Sequence, residues 1–291
     1  SFRTFMNLFK KLGLTLLAAT TFQTQAASVW KITSGSNTLY IGGTIHLLTP
    51  QDYPLPIAYE KAYQAADKVI FETNMETLSN PAFQKHMQAE LSYSDDTTID
   101  QVITPETYQS LKIYLSARQI PITAIQNLKP SALAISLSMI ELKHLGFTSQ
   151  GVDQFYAQKA QQDNKPRGWF EEPETQVKML SGLNKQNGND VINYTLAEIK
   201  NMPETMNDLR KSWRNGDIES MANLELNDFK KDYPEVYQSL LVERNNLWMP
   251  QIEHMLNDTN VEFIMVGAMH LAGEDSILAK LKANGYQITN L

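Results

Sequence analysis

Two segments near opposite ends of the chain repeat one pattern. The first reads Leu39-Tyr40-Ile41-Gly42-Gly43-Thr44-Ile45-His46-Leu47. The second reads Val261-Glu262-Phe263-Ile264-Met265-Val266-Gly267-Ala268-Met269-His270-Leu271. Each is an apolar, strand-like run followed by Gly-x-x-His-Leu. Glycine admits a turn or a close approach that a side chain would block. A histidine just past a buried strand sits on a rigid support and can reach into a cleft at the strand end. The chain has five histidines, and two of them hold the same place in this repeat. One histidine in an apolar setting reads most simply as a hydrogen-bonded core residue. Two in matched motifs read as one shared site, for a metal ion or a substrate group.

Carboxylates follow the same logic. Glu72 closes the run Val69-Ile70-Phe71, so it stands at a strand end where it can approach His46. Two imidazoles and a carboxylate form a common catalytic metal set that leaves one position open for water. His46, Glu72 and His270 are therefore the candidate metal ligands; the plainer reading of Glu72 is an exposed acid. Glu171 lies in Trp169-Phe170-Glu171-Glu172-Pro173-Glu174. It is a candidate further ligand, ligand-orienting partner or general base. Glu172 and Glu174 suit a helix N-terminus instead. Arg244 can bind a substrate carboxylate or hold an acidic ligand in place, against the plainer reading of a surface helix arginine. Glu72, Glu171 and Arg244 are the candidate catalytic groups. His86, His144 and His254 lack partners at metal-ligand spacing. The chain has no cysteine, which excludes disulfides, thiolate nucleophiles and Cys-ligated zinc. Nitrogen and oxygen donors suit a divalent ion such as Mn, Co or Zn. No His-Glu-x-x-His, P-loop, Gly-x-Ser-x-Gly or dinucleotide fingerprint is present.

The elements that position these groups can be read from periodicity. Val29 to Thr33 and Thr38 to Ile45 are strands joined by the turn cluster Ser34-Gly35-Ser36-Asn37, a hairpin. A helix from Ile57 to Ala66 and a strand from Lys68 to Glu72 complete a first unit. A long middle has helical spacing: 81–91, 105–117, 122–128, 131–145 and 152–163. A strand from Arg167 to Glu171, bracketed by Pro166 and Pro173, interrupts it. Helical spacing resumes over 174–183, 191–214, 218–230 and 235–256. The end returns to strand (261–266), loop, helix (276–283) and strand (286–291), with Gly285 as a helix C-cap. The fold class is thus mixed α/β: a mixed sheet built from N- and C-terminal strand units, surrounded by a long helical insertion. Both His loops are expected at one sheet edge, where such sheets bind ligands.

Residues 1–27 read as a signal peptide, with a single domain over 28–291. Arg3, Lys10 and Lys11 give a basic start, Leu12 to Thr21 a short apolar run, and Ala26-Ala27 a small-residue end. The run falls short of the roughly 20 apolar residues of a membrane span; a retained anchor is the alternative. Periplasmic or secreted placement follows, with no lasting membrane span once the segment is cleaved. The formal charge of −7 and the lack of a basic stripe argue against nucleic acid. A hydrophobic fraction of 42% is enough for a packed core.

At these residues the chain resembles the TraB/PrgY/GumN family, which includes the Tiki proteases. The resemblance rests on Ile41-Gly42-Gly43-Thr44-Ile45-His46, Phe71-Glu72 and Val266-Gly267-Ala268-Met269-His270-Leu271-Ala272-Gly273. Gly151-Val152-Asp153, Glu171 to Gln176 and Glu243-Arg244-Asn245 agree more weakly. It implies a fold related to erythromycin-esterase and haem-binding ChaN-like proteins. In Tiki members a divalent-metal peptidase activity depends on the Gly-x-x-His motifs and a glutamate; by resemblance that role falls on His46, Glu72 and His270. The expected function is a metal-dependent hydrolase acting on a peptide or small molecule. The alternatives are a non-catalytic peptide or small-ligand binding protein and, by fold analogy alone, a haem-binding module.

Overall fold

The computed structural model describes residues 26–186 and 188–291. The expected signal segment lies outside them except for Ala26 and Ala27. The strands are β1 (Val29–Ser34), β2 (Asn37–Thr44), β3 (Leu47–Leu48), β4 (Lys68–Thr73), β5 (Ser149–Gln150), β6 (Arg167–Glu171), β7 (Glu262–Gly267) and β8 (Gln287–Asn290). The helices are α1 (Ile57–Ala65), α2 (Met75–Leu78), α3 (Pro81–Glu90), α4 (Pro105–Ala117), α5 (Pro130–His144), α6 (Val152–Gln162) and α7 (Pro173–Gln186). The second half adds α8 (Gly188–Asn215), α9 (Ile218–Met221), α10 (Asn227–Asp232), α11 (Pro234–Tyr237), α12 (Glu243–Leu256) and α13 (Ile277–Ala283). Five of these helices open on proline, which lacks only an N–H that the first turn leaves unbonded.

Six strands form one mixed sheet in the order β6-β4-β7-β2-β1-β8. The first four run parallel, and β1 and β8 add antiparallel strands at one side. The last parallel strand, β7, therefore inserts between the first two, β2 and β4. Its residues Glu262 to Val266 are all buried, as expected of a parallel strand covered on both faces. Beneath one face, α12 and α13 pack Trp248, Met249, Ile252, Ile277 and Leu281 on Ile41, Ile70 and Ile264. The other face lies under α1, α6 and the larger helical layer, with Tyr59, Tyr156 and Phe263 at the contact.

The mixed α/β class and the sheet built from both ends of the chain stand as expected. Three expected helices differ, and one ribbon is additional. Residues 122–128 form only a 3-10 turn over Ile122–Ala124, because the Gln126 and Asn127 carbonyls accept from Ile99 and Tyr93 instead of a helix. The helices expected over 218–230 and 235–256 are widened by π-helical turns at Ala222–Leu226 and Gln238–Val242. A short ribbon, β3 against β5, is too brief to leave a periodic signal.

One of those π turns carries Glu225, which shares a hydrogen bond with Glu198 on α8 beside Met202, Met206 and Met269. Burial, and then the Glu198 charge, push the Glu225 carboxyl up to about 8. Burial also raises Glu198, against the hydrogen bond from Glu225, with Asp228 adding to the rise. An acid whose native pKa exceeds its unfolded value stabilises the fold only while protonated, so the contribution disappears as pH rises from about 4.5 toward 8. Glu225→Gln should keep the hydrogen bond and remove that loss. Thermal unfolding of parent and variant across this range should show the variant gaining on the parent as pH rises; parallel curves would sink the assignment.

Candidate active site

The four parallel strands all end at one edge, and the candidate residues collect there. Glu72 and Glu171 stand at the ends of β4 and β6, and Thr73 pairs with Glu171. The two Gly-x-x-His loops leave β2 and β7, which are neighbours with Gly43 opposite Val266 and Thr44 opposite Gly267. The repeat is thus brought side by side with a one-residue stagger. Its glycines are there for close approach. A Cβ on Gly43 would come within 3.3 Å of Ala268, and one on Gly267 within 3.4 Å of the Glu72 carboxylate. The Gly43 carbonyl is pinned from below by the Tyr59 hydroxyl (2.5 Å) and the Trp213 indole N–H (2.9 Å).

His270 lies on a 3-10 turn, Ala268–Leu271, and is 4% exposed. The Asn245 amide donates to the Asp275 carbonyl at 3.0 Å, so its Oδ1 accepts from His270 Nδ1 at 2.6 Å. That fixes the ring as the Nδ1–H tautomer and leaves a lone pair on Nε2. Burial lowers its pKa to about 4, against the upward pull of Glu72, so the ring is neutral at pH 7. Trp248 packs on it at 4.5 Å between ring centres.

Arg244 fills the space between the acids. Its Nε and Nη2 fork onto Glu171 at 2.9 and 3.1 Å. Nη2 also donates to Glu72 Oε1, while Nη1 donates to the Leu240 carbonyl at 3.1 Å and to His270 Nε2 at 3.3 Å. Every N–H of the guanidinium is therefore taken. Glu171 is equally occupied, since Trp248 and Gln176 donate to its two oxygens at 3.1 and 3.2 Å. The second oxygen of Glu72 accepts from the Gly267 N–H at 2.8 Å. Burial works against the Glu72 charge; His270 and the permanently charged Arg244 lead the neighbours that outweigh it and hold the carboxyl at about 2.

His46 is placed differently. Its side chain is 73% exposed, and Nδ1 lies 3.1 Å from Asp153 Oδ2. The Asp153 carboxylate raises its pKa above the ordinary imidazole value, and solvent around the ring screens the pair. Gly151 makes the contact possible: a Cβ there would lie 2.3 Å from the Ile45 carbonyl oxygen. The ribbon of β3 and β5 then fastens the loop to the start of α6. His46, Asp153, Glu72, Gln176 and Arg244 line one cavity of about 250 Å³. Glu72, Glu171, Arg244 and His270 are thus in direct contact, and His46 shares the cavity wall with Glu72 and Arg244. Asp153 and Asn245 entered the sequence reading only within segments of weaker family agreement, without a chemical role, and Trp248 did not enter it. A glycine directly before a helix start was the available signal for Asp153.

The donor types fit a divalent ion. Both imidazoles have Nδ1 against an oxygen, the arrangement that orients metal-ligating histidines. His270 Nε2 and Glu72 Oε1 lie 3.7 Å apart, a span that two ligand bonds of about 2 Å can bridge. Arg244 now occupies both atoms, and among the described residues no three His, Asp or Glu side chains form a ready cage.

Comparison with known proteins identifies a family. The TraB/PrgY/gumN family model matches residues 28–290. The uncharacterized protein YbaP of Escherichia coli (strain K12) is 24% identical over 249 residues, 85% of this chain and 89% of its own length. The protein of that name from Shigella flexneri matches to the same extent. No solved structure matches.

Two substitutions probe the geometry. Arg244→Met should strand two carboxylates and destabilise the fold by about 3–5 kcal/mol; denaturant unfolding that shows under about 1 kcal/mol would mean the cluster is solvated. Asp153→Asn should change stability by less than about 1 kcal/mol, yet drop the His46 titration toward 6.5. Imidazole proton shifts followed by NMR against pH would reveal an unmoved midpoint, which would dissociate Asp153 from His46.

Proposed function

The chain belongs to the TraB/PrgY/gumN family, and on that premise we propose that it is a divalent-metal-dependent hydrolase of peptide bonds. The observation that carries this reading is the delivery of two Gly-x-x-His loops to one sheet edge from adjacent parallel strands, with Glu72 on the next strand, β4, and one cavity beside. His46, His270 and Glu72 would hold the ion. When bound, such an ion supplies a polarised carbonyl and a water that ionises near neutrality.

The protein groups have separate tasks in this proposal. Asn245 and Asp153 fix which ring nitrogen of each histidine is free. Glu72 stays ionised at any physiological pH. Arg244 and Glu171 form a rigid, charge-balanced floor that keeps Glu72 from turning away. His46, alone of the two imidazoles open to water, would release its Nε2 proton to solvent when an ion takes that lone pair. Export through residues 1–27 into a periplasm or medium belongs to the same proposal, supported by the basic start and short apolar run. Among the described residues, no helix is long and apolar enough to cross a membrane. Kinship with the erythromycin-esterase and ChaN-like folds is part of the proposal too, supported by the mixed sheet with helices on both faces.

A second reading, a peptide- or ligand-binding protein without turnover, is favoured by one observation. Arg244 already satisfies His270 Nε2 and Glu72 Oε1, so the cavity is complete without an ion.

Metal stoichiometry and cleavage of a peptide library, with and without chelator, separate the two. His46→Ala, His270→Ala and Glu72→Gln should each lower metal content and reduce turnover at least about a hundredfold, with circular dichroism unchanged. His86→Ala should alter neither, since His86 sits exposed on Glu174 at 2.8 Å. Metal and cleavage surviving in both histidine variants would remove the paired motif from the chemistry. Peptide binding by a parent that neither retains metal nor cleaves would establish the second reading.

A further inference from the structure

If the substrate is a peptide, its charge must be met somewhere, and Arg244 has no donor left to meet it. A second cavity, of about 370 Å³, adjoins the first and shares Phe71, Thr73 and Met75 with it. Arg167, Lys165, Trp169 and Glu76 complete the walls that matter. It lies along β6, the edge strand of the sheet, so an extended ligand can enter it from outside.

Three features of this cavity suit an anion beside an apolar group. Arg167 directs Nη2 to Glu76 at 3.2 Å, but its Nη1 is enclosed and has no hydrogen-bond partner in the protein. A buried donor left unpaired costs more than an ordinary hydrogen bond returns, so it calls for an explanation. Lys165 donates to the carbonyls of Tyr63 and Ala66 at 2.7 and 2.5 Å, which orders it while its full charge stays at the wall. The two cations outnumber Glu76. Trp169 is 38% exposed, and its N–H is turned onto Glu172 at 3.1 Å. Trp169 is thus a partly open apolar wall that holds its polar atom elsewhere.

We propose that this cavity is a carboxylate-binding subsite for the peptide, with the part-exposed Arg167 guanidinium as the anchor and Trp169 and Met75 receiving the adjoining side chain. The peptide class rests on the hydrolase reading; the carboxylate preference rests on Arg167. The carboxylate can be a chain terminus or an Asp or Glu side chain. Because the cavity joins the first one, the subsite would set which bond of the peptide reaches Glu72 and His270.

Equilibrium binding tests this without turnover. Three N-acetylated tetrapeptides of alanine and leucine serve as probes: a free acid, an amide, and an amide with one leucine replaced by glutamate. Calorimetric titration into chelator-treated full-length protein should show a carboxylate-bearing peptide binding at least about tenfold tighter than the plain amide, the scale of one charge-assisted hydrogen bond. Whichever of the two binds tighter identifies the source. Arg167→Gln should erase the preference. Glu76→Gln should widen it, by removing the competing acid, and it keeps the test open should the arginine variant misfold. Equal binding of all three peptides, no binding of any, or a preference that survives Arg167→Gln with no gain in Glu76→Gln would overturn the subsite. A clear preference in a protein that never cleaves would retain the subsite and retire the hydrolase.

Discussion

The geometry of the strand-end site depends on one guanidinium. Glu72 and Glu171 stand on neighbouring parallel strands, and two carboxylates there would repel at low dielectric. Arg244 lies between them and spends every N–H on them, on His270 and on a carbonyl of its own helix. Because a buried pair loses solvation on both sides, its net contribution to stability is small, but removing one member is severe. What Arg244 contributes is position. Its helical neighbours repeat the arrangement: Asn245 fixes the His270 tautomer, and Trp248, one turn further on, contacts His270, Phe170 and Glu171. One turn of α12 thereby sets the orientation of side chains from three different strands.

The two Gly-x-x-His motifs show how far identical sequence can lead to different chemistry. The second runs into a 3-10 turn roofed by α12, so His270 is dry and neutral. The first runs into β3 at the surface, where β5 and Asp153 receive it, so His46 is wet and basic. Split environments of this kind give two imidazoles different protonation at one pH.

Much of this was legible in the sequence because the signals were local and periodic. An apolar run ending in Gly-x-x-His marks a strand end twice, and Val69-Ile70-Phe71-Glu72 marks a third. The parallel sheet then follows from ordinary α/β logic. The role of Arg244, holding an acidic ligand in place, was legible only as one of several readings, since nothing in Glu243-Arg244-Asn245 tells a buried arginine from a solvated one. Asp153 was hidden for a related reason. Its partner lies 107 residues away, and only the fold reveals that Gly151 yields its space to the His46 loop. The π turns were lost because a helix widened by one residue keeps nearly the same apolar stripe.

The insertion of β7 between β2 and β4 has a consequence for the order in which the molecule can assemble. The Gly267 N–H and the Glu72 carboxylate it meets are 195 residues apart in the chain. Until β7 arrives, β2 and β4 each present an open edge toward the slot it will fill, and open edges recruit other strands. Contacts of such long sequence separation are slow to form, because loop closure precedes any reward. A chain that stops before β7, which begins at Glu262, is therefore left with a split sheet and no site at all, rather than with a weakened one. The two histidines share an edge only once β7 has taken its place beside β2.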